Sequence, residues 1–286
     1  MLDGVMLLWF VLTLLSLLFV AADIRTTPES PVLKWGFILL TAYIGPFGAF
    51  LYVLGCREPL PGLHERYVAV RWRQVLGSTM HCVAGDGVGI LVGAIIASSF
   101  HLSKVTDIML EYLLGFGFGW TIFQALFMRA EAGGSYARSL SSTFLPELLS
   151  MNYLMAGMVP TMILVKNYVP ASDDPLGPAF WFVMSMALLV GFVTAYPMNW
   201  WLVSNHMKHG MMTVRASEQP AINSAHEAMQ EHHTANREAE NTQPKSETAM
   251  HGDVEKVSRG NLVWMTMLSL LVFTLGLAVQ AIFDGV

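Results

Sequence analysis

Three short stretches place side chains able to bind metals or carry protons inside otherwise apolar sequence. The first, residues 80–89, reads Met-His-Cys-Val-Ala-Gly-Asp-Gly-Val-Gly and holds His81, Cys82 and Asp86. Cys82 and Asp86 are four residues apart and share one helix face. His81 lies about 100° around the axis from Cys82. An ionisable group at membrane depth is costly, so Asp86 points to a cavity or a partner. Thiol, imidazole and carboxylate together also make a ligand set for a transition metal. Gly85, Gly89 and Gly93 recur every four residues, a spacing that permits close helix contact.

The second stretch, residues 144–160, sets Glu147, Met151, Met155 and Met158 along one helical stripe, with Asn152 beside it. Thioethers suit cuprous copper, while methionine at helical spacing also serves as a flexible core filler. The third stretch, residues 196–212, holds Asn199, the interfacial pair Trp200 and Trp201, and His206 and His209 three residues apart. Met211 closes it, and imidazole with thioether again suits copper. No HExxH or CxxC spacing occurs anywhere.

The elements that must position these groups are membrane helices. The chain has 286 residues, 54% hydrophobic and only 13% charged, with a mean hydropathy of +0.50. A soluble domain carries about 25% charged residues. Apolar runs at 5–22, 35–54, 75–100, 108–128, 148–165, 179–203 and 262–283 predict an all-α, polytopic bundle of seven transmembrane helices. A spanning helix satisfies its own backbone, and the alternation of a transmembrane barrel is absent. The first run resembles a signal peptide in length, but its start lacks a basic residue, which favours retention.

Lys and Arg favour the second, fourth and sixth loops by ten to four, which predicts those loops, and the N-terminus, in the cytoplasm. The expected organisation is a six-helix bundle over 1–212, a flexible acidic loop over 213–258 and a seventh helix over 259–286. The loop is rich in Glu, Asn, Ser and Thr and carries His226, His232, His233 and His251. Net charge is −5 with no basic stripe, so nucleic-acid binding has no electrostatic basis. Two cysteines make no secreted disulfide framework.

Residues 80–90 (MHCVAGDGVGI), 144–158 (FLPELLSMNYLMAGM) and 180–211, with its YPMNWWL core, resemble a family of bacterial membrane proteins called domain of unknown function 4396. Residues 40–50 (LTAYIGPFGAF) resemble its second span. The likeness runs from Trp35 to Met212. It implies a multi-helix membrane fold and no activity. His81 and Cys82 match the family pattern, which has a second Cys in place of Asp86 and an acid in place of Ile90.

The leading expectation is a multi-pass inner-membrane protein that transports or handles a soft transition metal, copper first. His81, Cys82 and Asp86 would form the central site, Met151, Met155 and Met158 the path, and His206, His209 and Met211 the exit. Its partners would be the bilayer, the metal ion, and a second copy or other subunits of a membrane complex. Three rivals remain. One is a redox protein with haem on His81 and His206, and another is a non-catalytic subunit of a membrane complex. The third is a proton-coupled carrier of a small solute using Asp86 and Glu147. Catalysis is not expected.

Overall fold

The computed structural model describes residues 2–57, 64–127, 129, 134–208 and 258–284. Helices α1 (Leu2–Asp23), α5 (Arg71–Ser99), α8 (Tyr136–Lys166), α9 (Pro178–Ser204) and α10 (Arg259–Asp284) supply the five segments long and apolar enough to cross a bilayer. Between them lie α2 (Pro31–Ile44), α3 (Pro46–Gly55), α4 (His64–Val68), α6 (Lys104–Phe118), a π-helical turn (Gly119–Gln124) and α7 (Ala125–Phe127). All regular structure among the described residues is helical.

The run 35–54, expected as one span, is instead a helical hairpin. Gly45 has φ +59°, a backbone region that favours glycine. Pro46 follows as the first residue of α3, where its missing N–H costs nothing. The two arms fold back tightly: a Cβ at Gly48 would come within 2.5 Å of Thr41 Cα. At its far end α3 returns to the place where α1 stops. Tyr52 Oη pairs with Thr27 Oγ1 and Asp23 Oδ2, each at 2.8 Å. Arg57 Nε reaches Asp23 Oδ2 at 2.9 Å, and His64 Nε2 meets Glu29 Oε1 at 2.8 Å. Residues 23–30, Arg57 and His64 therefore sit at one end of the bundle, although the sequence places them in loops on opposite sides.

The run 108–128 keeps a continuous helical path through its described residues but changes helix type. It forms α6, the π turn and α7, antiparallel to α5. Glycines allow this crossing to be close. A Cβ at Gly89 would strike the Leu114 carbonyl, one at Gly93 would lie 2.9 Å from Glu111 Cα, and one at Gly85 would lie 2.6 Å from the Phe123 ring. The small-residue spacing thus serves helix contact, as expected. Helix α8 packs on α9 and α10, with Gly157 at Thr194, Gly191 at Met158 and Gly276 at Ala156.

Candidate functional site

Four elements converge on a buried polar cluster. Helix α5 contributes Cys82 and Asp86, the π turn Gln124, α8 Glu147 and Ser150, and α9 Asn199. The seventh member is Lys208, 6% exposed, from the turn beyond α9. The local chain explains its position. After α9, His206 takes φ +54°, and the amides of Met207 and Lys208 both return to the Leu202 carbonyl, at 3.0 and 3.3 Å. Such a left-handed closing turn satisfies orphan carbonyls at a helix end. Here it also turns Lys208 back under the bundle.

Lys208 Nζ donates to Cys82 Sγ, to Glu147 Oε2 at 3.1 Å and to Asn199 Oδ1 at 3.1 Å. All three ammonium donors are used. Asn199 is held in turn by Ser150 Oγ (2.8 Å) and the Ala195 carbonyl (3.0 Å). Burial works against the charged ammonium, but the Cys82 sulfur and the Glu147 carboxylate outweigh it and hold the Lys208 pKa above the ordinary lysine value.

Glu147 Oε2 accepts from three donors: Lys208 Nζ, Gln124 Nε2 at 2.9 Å and Cys82 Sγ at 3.3 Å. Gln124 also donates to Cys82 Sγ at 3.0 Å. Three donors on one oxygen is the environment of an ionised carboxylate. Asp86 is the opposite case. It is fully buried, and neither carboxyl oxygen has a hydrogen-bond partner. Glu147 Oε1 has none either. Both groups aim at the space over Gly119: a Cβ there would overlap Asp86 Oδ1 and lie 3.1 Å from Glu147 Oε1. The cluster therefore holds two carboxyl groups and one ammonium.

A buried charge needs compensation. Lys208 compensates Glu147, and nothing among the described residues compensates an Asp86 anion. Electroneutrality then requires one proton on the pair, and the donor pattern puts it on Asp86. A proton on Asp86 also supplies the donor that Glu147 Oε1 lacks. Like-charge carboxyl pairs share a proton for this reason.

The expected site residues divide. Cys82, Asp86, Glu147 and Asn199 come together. His81 is buried but turned to the Phe123 carbonyl, 3.1 Å from its Nε2. Met151, Met155 and Met158 are fully buried in the core. Met151 packs at Gly115 and Met158 at Gly191, which is packing between helices. Asn152 binds Tyr112 Oη (2.7 Å) and Ser269 Oγ (3.1 Å), tying α6 and α10 to α8. His206 is exposed on the rim of a cleft that His81 does not line. His209, Met211 and the loop histidines lie outside the described residues. Among the described residues no three His, Cys, Asp or Glu side chains gather as a metal site.

Lys208 and Gln124 escaped the sequence reading. Gln124 carries a signal, as the only amide within residues 108–128. Lys208 carries none, since a basic residue just past a span is ordinary.

Two clefts open at opposite ends of this bundle. One, of about 290 Å³, is lined by Arg71, Gln74, His206 and Lys208. The other, of about 540 Å³, is lined by His101, Lys104, Asp107, Lys166 and Asp173.

A family model described as Domain of unknown function (DUF4396) matches residues 71–208. Every member of the cluster lies within that segment, and Lys208 is its last residue. Helix α1, the α2–α3 hairpin with residues 40–50, and α10 lie outside it. No curated protein and no solved structure matches the chain.

Proposed function

We propose that this multi-pass membrane protein, whose residues 71–208 belong to the DUF4396 family, carries a small solute across the bilayer in a cycle coupled to protons. The observation that carries the reading is the asymmetric carboxyl pair. Glu147 Oε2 has three donors, Asp86 has none, and both are fully buried. An ionisable group buried at depth reads as functional by default, and carboxyl groups there serve proton relays. Asp86 binds and releases the proton. Glu147, fixed by Lys208, Gln124 and Cys82, sets the charge that makes this reversible. One cleft opens beside Lys208, and the other lies at the opposite end of the bundle.

The basic end faces the cytoplasm. Because the α2–α3 hairpin returns, Arg25 and Lys34 lie with Arg57 at the end where α5 begins, and Lys34 Nζ caps the Arg25 carbonyl at 3.1 Å. Lys104 and Lys166 are at the other end, lining its cleft. The positive-inside rule then places the start of α1 outside, opposite to the expectation from a single crossing at 35–54.

A soft-metal cargo is the second reading. It has in its favour the buried Cys82, together with Met151 and Met155 buried further along α8. Against it, the Lys208 ammonium already sits on the thiol. One experiment separates the two. Vesicles with a trapped pH dye are challenged with gradients of amino acids, small carboxylates, amines, and cuprous and zinc ions. Coupled transport predicts proton movement with at least one organic solute, absent in Asp86→Asn. A silent organic panel, with stoichiometric cuprous binding lost in Cys82→Ala, would replace this reading with the metal one.

A further inference from the structure

Helix α6 carries a second acidic pair at the other end of its seam with α5. Glu111 is 1% exposed, and its Oε2 has no hydrogen-bond partner. Asp107, one turn earlier, lines the cleft of about 540 Å³, and its buried Oδ1 has no hydrogen-bond partner either. Lys166 lines the same cleft, and its Nζ is engaged by Asp173 at 2.9 Å. His101 and Lys104 complete the titratable lining of the cleft.

The positions of these acids are linked. Asp107, Glu111 and Gly115 on α6 and Gly119 at the start of the π turn recur every four residues along one face. That face lies on α5: Glu111 backbone against Gly93, Gly115 against Ile90 and the Asp86 carbonyl, and Gly119 against the Asp86 carboxyl. Eight residues from Glu111 to Gly119 correspond to about 12 Å of helix. The stretch between is closed by apolar atoms. Ile90 Cγ1 and Met151 Cε meet over Gly115, 2.7 and 2.8 Å from where a Cβ would sit.

We propose that Asp107 and Glu111 form a second proton-binding station, which loads Asp86 from the cleft along the α5–α6 seam through a gate made by Ile90 and Met151. The proposal rests on the proton-coupled reading and adds the route. A hydronium in the cleft gives its proton to the Asp107 carboxylate and leaves as water. Once Glu111, protonated at rest, has passed its proton on toward an ionised Asp86, the Asp107 O–H breaks as an O–H re-forms on Glu111 Oε2. Transfer to Asp86 needs water to pass Ile90 and Met151. The gate therefore separates the two stations, and no continuous proton wire short-circuits the membrane. A carboxylic acid is the stable form of Glu111 in this setting, since its free oxygen finds no donor.

Infrared spectroscopy on the purified full chain tests the first half. Two protonated-carboxyl bands are expected, one lost in Glu111→Gln and the other in Asp86→Asn. Glu111→Asp should keep a band, which guards against misfolding as the cause. If Glu111→Gln leaves the spectrum unchanged, the second station is overturned while the Asp86 site stands. Loss of the Glu111 band with no Asp86 band in the wild type sinks the proton-coupled reading instead.

Proton entry into vesicles with a trapped pH dye tests the gate. Ile90→Ala should raise passive proton flux at least tenfold over wild type, and adding Glu111→Gln should abolish that rise. An unchanged flux in Ile90→Ala, or a raised flux that survives Glu111→Gln, overturns the route.

Discussion

Asp23 and Asp86 end up in opposite conditions within one chain. Asp23 closes α1 at the basic end, and its side chain is 22% exposed. Its Oδ2 takes Tyr52 Oη and Arg57 Nε, and its Oδ1 takes Arg57 Nη2 at 3.1 Å. Both oxygens are engaged, and the result is a clasp that fixes where the hairpin returns. Asp86, fully buried on α5, has no donor at all, although three donors crowd its neighbour Glu147 a few ångströms away. Helix packing brought Lys208, Gln124 and Cys82 to one carboxyl and left the other bare. A carboxylate with a full set of donors holds structure. A buried carboxyl without donors keeps its proton and can give it up when the surroundings change.

The largest effect expected from breaking this contrast is at Lys208. Lys208→Met leaves the Glu147 charge buried and uncompensated, which costs about 3–5 kcal/mol when one member of a buried pair is removed. Unfolding in detergent should show it. Glu147→Gln in the same background should recover most of the loss, because the pair is then removed as a unit. If Lys208→Met unfolds like the wild type, Lys208 does not neutralise Glu147, and the charge argument for a proton on Asp86 fails with it.

A smaller loss is expected at the clasp. Tyr52→Phe removes a buried hydroxyl that meets Thr27 and Asp23, worth about 1 kcal/mol. Proton movement should not change. Asp86→Asn should do the reverse. The new amide N–H can donate to Glu147 Oε1 as the acid proton does, so stability should stay within about 0.5 kcal/mol. Proton-coupled movement should nevertheless stop. A variant as unstable as Lys208→Met would mean that Asp86 is ionised and structural.

These residues differ in how far the sequence announces them. Cys82, Asp86, Glu147 and Asn199 stand out because polar groups are rare in apolar runs. Their convergence is a tertiary fact: antiparallel helices bring residue 82 to 124, 147 and 199. His81 and the Met stripe share the same local signal, yet one hydrogen-bonds a backbone carbonyl and the others fill space. Lys208 is illegible because its burial depends on one left-handed residue, His206, which sequence rules read as a candidate ligand.

The spans are legible for a similar reason and fail for a similar reason. Hydropathy finds α1, α5, α8, α9 and α10, since a bilayer demands about 20 apolar residues. It cannot separate one crossing of 35–54 from a hairpin of the same length. The adjacent Gly45 and Pro46 are the turn signal that decides it.

The smallest expected effect concerns pH, and it tests whether the Lys208 pair behaves as one neutral unit. Its neighbours hold the Lys208 pKa above the ordinary value of 10.5. A base whose pKa is raised on folding contributes stability in full below its unfolded pKa. That contribution is lost only as pH rises through the higher folded value. The stability gap between the wild type and Lys208→Met should therefore stay constant from neutral pH up to about 10, and narrow only above that. Asp23 offers the control, since its clasp uses Arg57, which stays charged across the range. A gap that closes between pH 7 and 9 would mean that Lys208 gives up its proton within the working range. The transferable proton would then belong to Lys208 rather than Asp86, and the contrast between the two aspartates would no longer explain which group is mobile.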